Sequence, residues 1–164
     1  MMQSTRLKAL ALAGVLSIGS AAAWAQSPTP YGAPLNLEQA RKVLAGAEAE
    51  ALRNNWNMVV AIVDAGGHLM LLQRMDNTAY GSVEVAREKA QGAVAFRRPT
   101  KAFQELIAQG GAHVRLLNLT GDAAVLEGGI PIVVDGKMIG AVGVSGGSSP
   151  QDHQVAQAGV DALK

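Results

Sequence analysis

A chain of 164 residues, 49% hydrophobic and 16% charged, has the length of one domain and enough apolar content to bury a core, which excludes a disordered polymer. A formal charge of +1 and only two each of Phe, Tyr and Trp give neither the field nor the stacking surface of a nucleic-acid binder. The absence of cysteine excludes disulfides, thiolate metal ligation, a lipoprotein anchor and c-type haem attachment.

Residues 1–25 read as an export signal. Arg6 and Lys8 make a basic start, Ala9 to Ala23 is an apolar run, and Ala23-Trp24-Ala25 fits a small-residue cleavage pattern. The run is too short, and too rich in Ala, Gly and Ser, for a permanent membrane helix. Cleavage near Ala25 would take Lys and Arg from 14 to 12 against 13 acids, reversing the sign of the net charge. The sequence therefore predicts a periplasmic or secreted protein with no stable membrane insertion and no nucleic-acid partner.

Residues 26–34 (QSPTPYGAP) are rich in turn formers and predict a flexible lead-in, followed by a single domain over 35–164. Asn36, with Gln39 three residues on, predicts a capped helix whose apolar face is Ala40, Val43, Leu44, Ala47, Ala51 and Leu52. Asn54-Asn55 ends it. Met58 to Val63 and His68 to Met75 flank Asp64-Ala65-Gly66-Gly67, the pattern of an antiparallel hairpin. A helix is expected within Tyr80 to Phe96, broken by Arg97-Arg98-Pro99, and a short one after Thr100 as its cap. Residues 112–127 show no clear period and are consistent with a short strand or an irregular crossing loop. Ile130 to Val134 and Lys137 to Val144 flank Asp135-Gly136, which suits a type I′ turn. The last helix runs from Pro150 to Leu163. The fold class expected is α+β, an antiparallel sheet of about five strands flanked by helices.

The stretch Gly140 to Val155 (GAVGVSGGSSPQDHQV) is a strand that breaks at Gly146-Gly147 and re-enters as a helix, with Ser149 at the cap, Pro150 first and Asp152 third. With Gly146, Gly147, Ser148 and Ser149 it has the makings of an anion cradle at a helix start; it equally fits a plain connection in which Asp152 caps its own backbone. Each of His68, His113 and His153 is a residue type that ligates metal or haem iron, but no pair has zinc-motif spacing. His153 is the leading metal ligand, because it stands beside the glycine turn. Arg97 and Arg98 suit carboxylate recognition or pairing with Glu88, Asp76 or a neighbouring subunit. No nucleophile elbow, phosphate loop or dinucleotide fingerprint is present, and no catalytic constellation emerges.

Four phrases, VDAGGHLMLLQRMDN, EKAQGAVAFRRPTKAF, GGIPIVVDGKMIGAVGVSGG and QDHQVAQAGVDAL, in this order from about Leu35 to the end, make the chain resemble the GlcG/HbpS family, which is related to the C-terminal domain of PduO-type proteins. The resemblance implies a profilin-like antiparallel sheet and a homo-oligomer built from dimers and reaching octamers. It also implies haem as cofactor, since exported members are haem-binding or haem-degrading accessory proteins, some serving a sensor system. Others lie among glycolate or diol metabolism genes without an assigned reaction. Joined to the residues, it gives a tetrapyrrole slot with His153 or His113 on iron, propionates held by Arg97, Arg98 or the Gly146–Ser149 turn, and Met75 or Met138 as a soft contact. Two alternatives stand beside it. One is an enzyme or binding protein for a small hydroxy acid or aldehyde metabolite using Asp64, Arg74 and His153; the other is an oligomeric scaffold without a small-molecule site.

Overall fold

The computed structural model describes residues 28–119 and 124–164, so the expected export signal lies outside the described residues. Helix α1 (Leu37–Arg53) precedes strands β1 (Val59–Asp64) and β2 (Leu69–Arg74); α2 (Ser82–Phe96) and α3 (Lys101–Ala108) follow. A 3-10 turn (Gly111–Arg115) and the short α4 (Leu116–Leu119) lead to β3 (Gly129–Val134), β4 (Lys137–Ser145) and α5 (Ser149–Asp161). Each strand pair is antiparallel and the order is β2-β1-β4-β3, confirming the α+β class with four strands rather than about five. The difference lies in the aperiodic stretch after Gly110, where helical turns occupy residues 111–119 and no strand stands among the described residues of 112–127.

Alternation along the strands builds two cores. Val60, Ile62, Val142 and Val144 pack with Ala40, Val43 and Ala47 of α1 and Val155 and Ala156 of α5. Val59, Ala61, Val63 and Ala141 face the other way, toward Ala86, Ala90 and Ala93 of α2. Covering on both faces explains why β1 reads as a continuous apolar run. Helix α2 lies hard against the sheet because glycine leaves room: a Cβ on Gly143 would stand 2.0 Å from the Ala86 carbonyl oxygen, and one on Gly129 would stand 2.2 Å from that of Lys89.

Local chemistry follows the sequence at most turns. Asn36 and Gln39 close a capping box, and Asn54, then Asn55 at φ 57°, end α1. Asp135 and Gly136, at φ 49° and 72°, make the tight β3–β4 turn. Three expectations are corrected. The cap of α5 is Ser148, boxed with Gln151, so Pro150 is second and Asp152 fourth in the helix. Thr100 precedes α3 in a helical backbone conformation and caps nothing; its hydroxyl donates to the Leu126 carbonyl at 2.6 Å and accepts from Gly129 N–H at 2.9 Å. Finally, the lead-in is fastened from Pro30 to Leu35. Met138 N–H donates to the Pro30 carbonyl, Gly32 and Leu35 donate to the carbonyls of Met138 and Ile139, and Tyr31 hydroxyl donates to Val94. It occupies the place beside β4 that β1 vacates after Asp64.

Candidate functional site

The close approach of α2 to the sheet delivers a lysine to the glycine turn. Lys89 shares the apolar face of α2 with Ala86, Ala90 and Ala93, and its side chain is 2% exposed. Its ammonium donates to Asp152 Oδ2 at 2.7 Å and to the Val144 carbonyl at 3.0 Å. Asp152, 4% exposed, accepts from Gly147 N–H at 2.9 Å through Oδ1, and from Gly146. Burial pushes the Asp152 carboxyl up, and Lys89 and the two glycine N–H groups oppose that push. The helix start is thus filled from within: Asp152 takes Gly147, and the Gln151 side chain takes Ser148 N–H at 2.9 Å. Of the two readings of this turn, self-capping describes what is found: Asp152 takes the donor at Gly147 and Gln151 the one at Ser148. Ser149 forms the first residue of α5, one place after the cap.

The next residue, His153, turns toward Glu127. Glu127 is buried in the loop before β3, where its N–H donates to the Gln104 side chain and its Oε1 accepts from Lys101 Nζ at 2.9 Å. That hydrogen bond and charge hold Lys101 above the usual lysine range. His153 Nδ1 lies 3.6 Å from the same Oε1, beyond hydrogen-bond range, and is buried without a hydrogen-bond partner. The side chain as a whole is partly exposed, so its exposure falls on atoms other than Nδ1. An imidazole backed by a carboxylate at one nitrogen and open elsewhere is suited to metal ligation or proton transfer through Nε2.

The remaining expected residues disperse. His113 is exposed on the 3-10 turn, and His68, 82% exposed, stands 3.3 Å from Asp64 at the β1–β2 hairpin. Asp64 accepts from Gly66 and His68 N–H; burial works against its ionisation, but those bonds hold it below the usual aspartate range. Arg97, in a left-handed backbone conformation at φ 52°, covers the Tyr31 ring, and Arg98 covers Phe103. Neither forms an ion pair with Glu88 or Asp76 in the described residues. Arg98 is exposed three residues before Lys101. Met138 is fully buried and Met75 packs against the α1-side core, so Met138 offers no contact to a ligand outside the chain. Asp64 and Arg74 lie at opposite ends of β1, Arg74 being paired with Val59, and do not converge.

Sequence reasoning missed Glu127, Lys101 and Lys89. The one legible sign was Lys89, a charge on the apolar face of a helix, which requires a buried partner. An apolar cavity of about 230 Å³ lies at the far end of α5, between Ile132, Val134, Val160 and Leu163, well away from His153 and below the roughly 300–1,000 Å³ of small-molecule pockets.

Comparison with known proteins extends these observations. Residues 35–161 match the family model described as "Haem degrading protein HbpS-like". Protein GlcG of Escherichia coli K12 is 44% identical over 112 residues, 68% of this chain and 81% of GlcG. A crystal structure of a PduOC:haem complex superposes with a TM-score of 0.73 at 32% identity, covering 79% of this chain and 94% of that one. The crystal structure of HbpS gives 0.74 at 30% identity, covering 81% and 92%. With the family model spanning most of its length and GlcG so similar, the chain belongs to the GlcG/HbpS family.

Proposed function

We propose that this protein binds haem at the surface around His153, as an exported accessory protein in haem handling or sensing. The observation that carries the reading is His153 itself: Nδ1 is buried beside the Glu127 carboxylate while the side chain as a whole keeps 28% of its surface exposed. That donor set fits haem. His153 would hold the iron through Nε2, Lys101 and Arg98 would face the propionates, and exposed Leu126, next to Glu127, offers apolar surface to the macrocycle. Bound haem would supply an iron centre whose properties follow from its axial ligand. The residues of this chain bind it, orient the imidazole and supply cations. The solved PduOC:haem complex, a relative of the same fold, supports the ligand class.

Haemin titrated into the protein lacking residues 1–25 is expected to give a shifted, saturable Soret band at micromolar protein. His153→Ala should weaken binding about tenfold or more. An unchanged free-haemin spectrum overturns the reading; binding retained in His153→Ala but lost in His113→Ala would move the ligand to His113. Export is proposed from the basic start and apolar run alone, and intact mass of protein from a periplasmic extract should begin at Gln26. We further propose a dimer-based homo-oligomer. Its surface includes Leu69 and Leu72 on the edge strand β2 and the well-exposed Tyr80. Light scattering coupled to size exclusion should return a multiple of the chain mass.

A further inference from the structure

We propose that Glu127 is a shared hydrogen-bond acceptor through which capture of a ligand carboxylate by Lys101 strengthens His153 as a metal ligand. The inference rests on the haem reading above and adds a coupling between its two ends. One oxygen, Oε1, serves both neighbours: Lys101 Nζ sits at 2.9 Å from it, and His153 Nδ1 waits at 3.6 Å. Glu127 is 5% exposed, so solvent does not provide it with an alternative partner freely. Lys101 is 46% exposed and can turn its ammonium outward. The two neighbours' claims on Oε1 differ in consequence. With Oε1 drawn to Lys101 at 2.9 Å, it stands 3.6 Å from Nδ1, which is left unpartnered, a costly state for a buried polar atom. When an incoming carboxylate draws Lys101 away, a shift of about 0.7 Å brings Oε1 within range of Nδ1. A neutral imidazole then keeps its proton on Nδ1, leaving the Nε2 lone pair free for a metal. A ligand carrying both a carboxylate and a metal gains from each end, whereas one carrying only the metal must displace Lys101 unaided.

Glu127 is therefore a positioning residue, and Lys101 its competitor. Two measurements test this. In apo protein in alkaline buffer, with the ring neutral, 15N NMR should show the Nδ1–H tautomer of His153 more populated in Lys101→Met than in wild type. In binding, iron protoporphyrin IX should be preferred by wild type over its dimethyl ester by roughly tenfold, within the usual range of site coupling. Lys101→Met should bind the ester more tightly than wild type does, a gain that simple loss of a cation would not produce. Glu127→Gln should abolish that gain. An unchanged tautomer ratio together with unchanged or weaker ester binding in Lys101→Met overturns the coupling while leaving haem binding intact. Absence of haemin binding by wild type overturns the haem reading, and the apo tautomer measurement then decides the hydrogen-bond exchange by itself. Lys101→Gln, a smaller change on an exposed residue, repeats both measurements should Lys101→Met fold poorly.

Discussion

Replacing Lys89 by Met would remove the ammonium from beneath the glycine turn while keeping the stem that packs against the sheet. In the native protein the pair is at 2.7 Å, with both side chains at most 4% exposed, so neither charge can be solvated by bulk water. Without Lys89, Asp152 keeps only the Gly146 and Gly147 N–H groups, and the Val144 carbonyl loses a donor. Stranding one member of a buried pair costs about 3–5 kcal/mol. That is a large share of the roughly 5–15 kcal/mol that holds a domain together. Urea unfolding followed by circular dichroism at neutral pH measures it. Asp152→Asn in the Lys89→Met background removes the stranded charge, so the double variant should be more stable than the sum of the single losses by about 2 kcal/mol or more. The pH dependence supplies a second check. In Lys89→Met the folded-state pKa of Asp152 is raised above its unfolded value, so the penalty is absent at acid pH and grows as pH rises through that interval. The gap to wild type must therefore narrow on acidification. A Lys89→Met loss under 1 kcal/mol, with no coupling in the cycle, would refute the argument.

Gly143→Ala drives a methyl into the Ala86 carbonyl oxygen and should destabilise by about 1–3 kcal/mol or more, read from the same unfolding curves. Asn36→Ala removes the α1 capping box and should lose about 1 kcal/mol. Asp64→Ala breaks two hydrogen bonds at the β1–β2 hairpin and should lose about 1–2 kcal/mol at neutral pH. Because Asp64 is held below the ordinary aspartate range, its contribution is present above that range and disappears as pH falls through the folded pKa. Asp64→Asn should flatten that part of the acid limb, measured as unfolding midpoint against pH. At the candidate site, the Soret titration separates His153→Ala from His68→Ala, and the latter should bind haemin as wild type does, its ring being at the hairpin.

Local order was readable because the sequence states it locally. The 3.6-residue spacing of Ala40, Val43 and Ala47 marks α1, and Asp135-Gly136 can hardly be anything but a tight turn. Gly110 onward was not, since Ala112 to Glu127 has no period to favour strand over helical turns. The neighbour relation of β1 and β4 was also hidden: Val60 and Val144 are paired across about half the chain, and each hairpin alone is silent about how the two hairpins join. The site was half legible. His153 and the glycine turn stand together in sequence, but Glu127, Lys101 and Lys89 come from three other segments and meet only through the sheet. The turn itself shows the limit of motif reading, because Asp152, four residues into the helix, occupies the donors that an external anion would need.

The fastening of Pro30 to Leu35 along the start of β4 bears on how the protein comes into being. The earliest described residues complete their hydrogen bonds only with Met138 and Ile139, and β1 likewise waits for β4 to become an interior strand. No sheet can close until nearly the whole polypeptide has emerged from the ribosome. Closure over so long a loop is entropically slow. Under the export proposed above, that delay would be useful: a chain threaded unfolded through a translocation channel would stay threadable until roughly its last thirty residues, those from β4 onward, are made. A truncation that removes β4 should leave no stable remnant, because the strand that joins both hairpins, both layers and the N-terminal lead-in would be gone.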